Sequence, residues 1–351
     1  MVVNVPSTSV SDPGDSGKLL DIRHLVVSFP IQDKGWINVV NGVSFSITAG
    51  ETIALVGESG AGKTATSLAI IGLHRPPAAR VSGEIIFNDR NLLTMRKHEI
   101  NSIRGSDIAM VFQEPTARLN PSIRVGEQIA EVLRFHRGLS HRQAAQRAIE
   151  LLDEVEMAGA RERASAYPFE MSGGMCQRVM IAIALACSPK LLIADEPTSS
   201  LDVTIQAQVL DLLSRIQAEY HMAILFVTHD LAIAADVCDR AIVMYGGQII
   251  ENGSVDTVLR DPHHPYTSGL ICAMPQEVSG EPSHGGVRRL IPIPGAAPLP
   301  WALPSGCAFH PRCQYMIADR CIHDVPPLVS LEGDRKVRCV RANELDLRGM
   351  E

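Results

Sequence analysis

Residues 57–64 read GESGAGKT, a turn whose composition suits phosphate binding. The spacing G-x-x-x-x-G-K-[ST] is matched without a departure. Around Gly57, Ser59, Gly60 and Gly62 the backbone can fold so that its N–H groups close on a β-phosphate. Lys63 brings a mobile cation to the β- and γ-oxygens, and the Thr64 hydroxyl can ligate Mg²⁺. A serine-hydrolase elbow, G-x-S-x-G, is excluded because Ala61 stands where the last glycine must be. The acidic half of such a site is expected at the end of a neighbouring strand, and LLIADEP at 191–197 supplies it. Asp195 is placed to hold Mg²⁺, directly or through water. Glu196, one residue on and aimed differently, is suited to polarise an attacking water. His229 follows the apolar run LFVT and is expected to hydrogen-bond the γ-phosphate and to fix the water and Glu196. Gln113, in MVFQEP, is expected to touch Mg²⁺ or the same water. Together these residues describe nucleoside triphosphate hydrolysis.

A second stretch, MSGGMCQRV at 171–179, also reads as an anion site. Ser172, Gly173 and Gly174 would open a helix with exposed backbone amides. It lies more than a hundred residues from the first.

The elements that must position these groups follow from periodicity. Residues 19–29 and 39–47 alternate as strands, with 30–38 as the connecting turn. Residues 52–56 form a short apolar strand, followed by the glycine turn and a helix over 63–73. Strand, turn and helix in that order open an α/β unit. Residues 122–165 are a helical insert, in which Ser140 and Gln143 make a capping box. Strands return at 191–197 and 223–230, and 241–253 reads as a hairpin turning at Gly246-Gly247. Near 262 the composition shifts and proline becomes dense from 275 to 311.

Composition narrows the class. The chain has 351 residues, net charge −7 and 46 % hydrophobic residues, an ordinary globular balance that argues against a nucleic-acid partner. No apolar run reaches the roughly 18 residues needed to span a bilayer. The first 17 residues lack the features of a signal peptide and read as a disordered tail. A soluble, cytosolic protein is expected. Cys176, Cys187, Cys238 and Cys272 read as small core residues. Cys307, Cys313, Cys321 and Cys339 cluster near the end, which points to metal more than to disulfides. Their spacing lacks the C-x2-C knuckle common in structural zinc, and four thiolates can hold either zinc or a [4Fe–4S] cluster.

In order and spacing, GESGAGKT, Gln113, MSGGM, LLIADEP, SSLD and His229 resemble the nucleotide-binding domain of ATP-binding-cassette proteins. The resemblance implies an α/β P-loop NTPase over 18–262. Its parts would be a RecA-like core, an antiparallel β subdomain and a helical subdomain at about 114–174. It implies ATP and Mg²⁺ as ligands. It also implies head-to-tail pairing of two cassettes, so that Ser172, Gly173 and Gly174 serve the partner's ATP. Phe29 matches the aromatic that stacks on adenine, and reads equally well as a core residue. Met171 stands where leucine usually opens the second motif. Cys176 takes a place often polar, and Arg118 one often held by serine.

PHHPYTSGL at 262–270 and GCAFHPRCQYMIADRC followed by VRC resemble the C-terminal extension, here 263–351, of oligopeptide, dipeptide and nickel importer ATPases. That resemblance implies a small irregular extension whose four cysteines hold an iron–sulfur cluster, with zinc as the alternative. The partners it implies are a second, homologous ATPase forming a heterodimer, two transmembrane permeases and an extracytoplasmic substrate-binding protein. The chain would then sit at the cytoplasmic face of the inner membrane. Di- and oligopeptides are the expected cargo, with nickel or another small solute as an alternative. A soluble, non-transport cassette ATPase is the rival from a different class.

Overall fold

Alternating apolar residues turn 18–48 into a long hairpin in the computed structural model, which describes residues 17–199, 201–274 and 292–350. The tail expected over 1–17 lies outside the described residues but for Gly17, as do Ser200 and part of the proline-dense stretch. Strand β1 (Lys18–Ile31) pairs antiparallel with β2 (Gly35–Thr48) and with β4 (Arg80–Phe87), and β5 (Arg90–Asn91) completes this sheet in the order β2-β1-β4-β5. The turn expected over 30–38 is shorter, because Phe29 pairs with Ile37 and Pro30 with Trp36. Leu20, Ile22, Leu25 and Val27 of β1 face Val40, Val43, Phe45 and Ile47 of β2 in a core shared with Ile53 and Leu55. Each such side chain, fully buried, contributes roughly 1.5–3 kcal/mol.

The second sheet carries the strand-end groups. Its parallel members are β3 (Thr52–Val56), β6 (Ile108–Val111), β7 (Leu191–Asp195), β8 (Ala223–Thr228) and β9 (Arg240–Tyr245). The antiparallel strand β10 (Gln248–Ser254) is joined to β9 by the hairpin at Gly246-Gly247. Strands β3, β7 and β8 are buried along their whole length, as a sheet covered on both faces requires. In register, Val56 lies beside Thr228, Asp195 beside Val227 and Val111 beside Ala194. Four parallel strands therefore end along one edge, where open α/β sheets bind ligands.

Helices cover the faces. Helix α1 (Lys63–Ile70) follows the phosphate turn, and α2 (Lys97–Ile103) follows β5. The insert holds α3 (Pro115–Arg118), α4 (Val125–Arg137), α5 (His141–Glu154) and α6 (Ala160–Arg163). Val125, Ile129 and Leu133 face Ala144, Ala148 and Leu151 at helical spacing, and both rows pack on α7 (Gly173–Leu185). Ser140 Oγ accepts from Gln143 N–H, and Gln143 Oε1 accepts from Ser140 N–H at 3.1 Å, as the capping box requires. Helices α8 (Val203–Tyr220), α9 (Leu231–Val237) and α10 (Val255–Arg260) complete the core.

Beyond 262 the chain stays joined to that core. Helix α11 (Pro265–Cys272) contributes Tyr266 and Ile271 to the main apolar cluster. After the short α12 (Ala318–Cys321), strands β11 (Val329–Ser330) and β12 (Lys336–Val337) extend the second sheet, with Val337 opposite Glu251. The compositional shift near 262 thus marks a change in texture while the sheet runs on. None of the described helices is long and apolar enough to cross a membrane.

Candidate active site

The glycine turn is shaped by residues that no side chain could replace. Gly57 has φ 151°, and a Cβ there would meet the Met244 carbonyl oxygen at 2.3 Å. Gly62, the N-cap of α1, has φ 101°, and a Cβ there would meet the Val39 oxygen at 2.9 Å. Both lie in the left-handed region that favours glycine. Lys63 is buried, and its Nζ donates to the carbonyls of Gly57 at 2.6 Å and Glu58 at 3.2 Å. Burial lowers its pKa, and the carboxylates of Glu196, Asp195 and Glu58 pull it back up. The ammonium is therefore held at the loop and faces a negatively charged surround.

A cleft of about 680 Å³ opens over this turn, lined by residues 57–65 together with Gln113, Glu196 and His229. Thr64 Oγ1 donates to Asp195 Oδ1 at 3.3 Å. Asp195 is buried at the end of β7, and burial raises its pKa. Glu196 sits just past the strand at φ 48°, its N–H bonded to the Val227 carbonyl at 2.9 Å. A non-glycine residue in that region is strained, and the strain here turns the carboxylate out of the strand line. Gln113 Nε2 donates to Glu196 Oε2 at 3.1 Å, and His229 Nδ1 lies 3.2 Å from Oε1. That contact makes Nδ1 the protonated nitrogen, facing a carboxylate acceptor. Two groups from just past the ends of β6 and β8 thus meet around the one carboxylate that follows β7.

Other expected residues lie elsewhere. Ser172 caps α7 by accepting from Met175 N–H at 3.3 Å, and Ser172 and Gly173 are exposed. Gly174 is pressed against α8, where a Cβ would meet Ile205 Cγ2 at 2.8 Å. None of the three lines the cleft. Phe29 does not line it either. Its ring is half-buried and packs edge-on against His74 with centroids 5.0 Å apart.

Two contacts went unread in the sequence. Tyr266 Oη accepts the N–H of Glu58 at 2.8 Å, and Arg312 makes a forked pair with the Glu58 carboxylate. The His-Pro-Tyr segment marked Tyr266 out, and nothing marked Glu58 or Arg312.

Cys307, Cys313, Cys321 and Cys339 line one cavity in the extension, with His264 in its wall. Burial raises the thiol pKa of Cys307, and pushes those of Cys313 and Cys339 up to about 11. Among the described residues, no group of three or more His, Cys, Asp or Glu is arranged to hold a metal ion. That holds for the expected iron–sulfur cluster and for the zinc alternative alike. The thiols are spread around a space, and His264 is fully enclosed. Its Nδ1 accepts from Tyr266 N–H at 3.0 Å, which leaves the proton of the neutral ring on a buried Nε2 that has no partner. Cys176, Cys187 and Cys238 are buried, as core residues should be, whereas Cys272 is only half-buried.

Comparison with known proteins bears on this arrangement. Residues 40–199 match the model for the ABC transporter family, and residues 250–321 match that for the oligopeptide/dipeptide transporter C-terminal region. The chain is 46 % identical over 321 residues to a putative peptide import ATP-binding protein of Brucella abortus (strain 2308), covering 92 % of this chain and 94 % of that one. It is 46 % identical over 322 residues to the oligopeptide transport ATP-binding protein AppD of Bacillus subtilis (strain 168), covering 92 % and 96 %. Among solved structures, the dimeric post-hydrolysis state of the ATP-binding cassette MJ0796 bound to ADP and phosphate superposes with a TM-score of 0.61 at 28 % identity, covering 67 % of this chain and 98 % of that one. CbiO1 of Clostridium perfringens, part of an ABC transporter complex, gives 0.58 at 26 % identity, covering 69 % and 91 %.

Proposed function

This chain belongs to the ABC transporter family as an ATP-binding cassette with the oligopeptide/dipeptide transporter C-terminal region, and from that premise we propose that it is the ATP-hydrolysing subunit of a bacterial importer of di- and oligopeptides. The observation that carries the hydrolytic reading is the Glu196 carboxylate, held between Gln113 and His229 at the mouth of the phosphate turn.

The chemistry follows from charge and position. Lys63 and the amides of Gly60, Gly62 and Thr64 receive the β- and γ-phosphates. Mg²⁺, when bound, neutralises charge on those oxygens, and Thr64 and Asp195 are the residues to hold it. Glu196 orients a water for in-line attack on the γ-phosphorus. Gln113 and His229 fix the carboxylate against rotation, each by donating an N–H to one of its oxygens. The exposed start of α7 then finds its use outside this subunit. Ser172, Gly173 and Gly174 present their amides to ATP on a second cassette, whose own α7 completes the cleft described here. Hydrolysis in that arrangement depends on closure of the pair, and closure drives the permeases. We assign the second cassette to a homologous but distinct chain. The pair docks on two permease subunits at the cytoplasmic membrane face and receives cargo from an extracytoplasmic binding protein.

Four thiols line one cavity in the extension, with the unpartnered His264 Nε2 in its wall. We propose that Cys307, Cys313, Cys321 and Cys339 would hold a [4Fe–4S] cluster, with zinc as the alternative. The cluster would supply cross-linking to a segment with little core of its own. Anaerobically purified protein should carry about four irons per chain, and Cys307→Ser should lose them. Iron-free protein with unchanged folding contradicts the assignment.

Transport is tested in proteoliposomes holding this chain, its companion ATPase and the two permeases, with the binding protein added. ATP should drive accumulation of a labelled di- or oligopeptide. Accumulation of nickel and not of peptide, or ATP turnover with neither, overturns the cargo.

A further inference from the structure

The phosphate turn is fastened by the C-terminal extension. Tyr266 of α11 accepts the backbone N–H of Glu58 at 2.8 Å. Arg312, the residue before Cys313, donates from Nη1 to Glu58 Oε2 at 2.6 Å and from Nη2 to Oε1 at 3.0 Å. The guanidinium is held in turn, with Nε on the Pro294 carbonyl at 2.8 Å and Nη1 on the Tyr245 hydroxyl at 3.3 Å. The rings of Tyr245, Tyr266 and Phe309 pack on one another at centroid distances of 4.6–5.3 Å, behind the contact. Leu270 of α11 lines the same cleft as the turn. The pair is largely out of water, with 7 % of the Arg312 side chain and 29 % of the Glu58 side chain exposed.

Glu58 fills a position that the phosphate motif leaves open. A carboxylate lining a cleft for a triphosphate opposes that ligand by like charge. The forked guanidinium cancels the charge and draws the carboxylate to the side of the extension. The Glu58 carbonyl also helps hold Lys63, so the peptide units that Tyr266 and Arg312 fasten are the ones that set the lysine. We propose that Arg312 and Tyr266 are positioning residues of the ATP site: they neutralise Glu58 and fix the first bend of the turn, so that the extension sets the affinity for ATP. The proposal rests on the reading of this cleft as the ATP site.

A purely structural Arg312, one that only staples the extension, would be indifferent to the charge on Glu58. The two roles separate by a double-mutant cycle. In the assembled complex, Arg312→Ala should raise the dissociation constant for a fluorescent ATP analogue, and KM for ATP, on the order of 10-fold or more, by leaving a half-buried carboxylate unpaired beside the phosphates. The rate at saturation should stay within about 3-fold, because no group that meets the γ-phosphate has changed. Adding Glu58→Gln should return the affinity to within about 3-fold of the parent. Tyr266→Phe keeps the ring stack and should weaken binding by about 3- to 10-fold. Unchanged affinity in Arg312→Ala overturns the proposal, and so does a loss that Glu58→Gln fails to repair. Should Arg312→Ala fail to assemble, Arg312→Lys carries the test, since it keeps charge and loses the fork. It should weaken binding by about 3- to 10-fold, with recovery on adding Glu58→Gln, and parent-like affinity overturns the proposal. Lys63→Ala in the same assembly reports separately on the ATP reading: it should abolish binding whatever Arg312 does.

Discussion

Replacing Arg335 with methionine should destabilise the whole chain, because Arg335 neutralises a carboxylate that no water reaches. Glu251 on β10 is fully buried and accepts from His263 N–H at 2.7 Å, His264 N–H at 3.0 Å and Arg335 Nη2 at 2.9 Å. Arg335 lies just before β12, whose Lys336 and Val337 pair with Asn252 and Glu251. Its Nη1 bonds the Asp261 carboxylate at 3.2 Å. Burial pushes the Glu251 carboxyl up, and the donors around it draw it back towards the charged form. Removing one partner of a buried pair costs about 3–5 kcal/mol, because the other is left charged and unpaired. With an unfolding entropy of about 2.1 cal/mol/K per residue, that loss lowers Tm by about 4–7 °C in a chain this long. Scanning calorimetry reads it directly. Adding Glu251→Gln removes the stranded charge and should recover about 1 kcal/mol or more. A shift under about 1 °C for Arg335→Met, the size an exposed pair gives, refutes the reasoning. The extension would then rest on the core without depending on this contact.

Gly174→Ala drives a Cβ to 2.8 Å from Ile205 Cγ2, so it should cost about 1–3 kcal/mol of stability and lower ATP turnover; Ile205→Ala in the same chain should restore the melting temperature, and failure to do so denies that the close approach of α7 and α8 is the cause. His74 is partly buried with Nε2 3.0 Å from the Ala65 carbonyl, and burial lowers its pKa. Its neutral ring contributes stability in full above the unfolded value of about 6.5 and loses it as pH falls through the folded value. By NMR the ring should remain mostly neutral at pH about 6.5, where a free imidazole is half protonated; a midpoint at or above that value contradicts the burial.

The strand-end groups were legible because two signals coincided. Short apolar runs at 52–56, 191–195 and 223–228 gave buried strands, the first followed at once by the glycine turn and the other two by Glu196 and His229. Parallel register then brought Gln113, Glu196 and His229 together without further information. The hairpin at 18–48 was harder. Residues 30–38 read as the connecting turn, yet Pro30 pairs with Trp36 and Ile31 with Gly35. The extension resisted reading for a different cause. Its order comes from contacts across great sequence distance, as between Glu58 and Arg312, and local periodicity carries no trace of them. The role of Ser172 was half visible. Its helix cap is local and present, whereas any service to a second cassette lies outside a single chain.

The claim on which the transport account turns is that this cassette's ATP cleft is completed in trans. ATP turnover per chain, measured for the protein held monomeric and for the full assembly under one set of conditions, tests it most directly. The account expects the monomer to be slower on the order of 10³-fold, the scale of trans-donated groups in other P-loop enzymes, and Glu196→Gln to bring the assembly down to a comparable rate. A monomer that turns over ATP as fast as the assembly would contradict it.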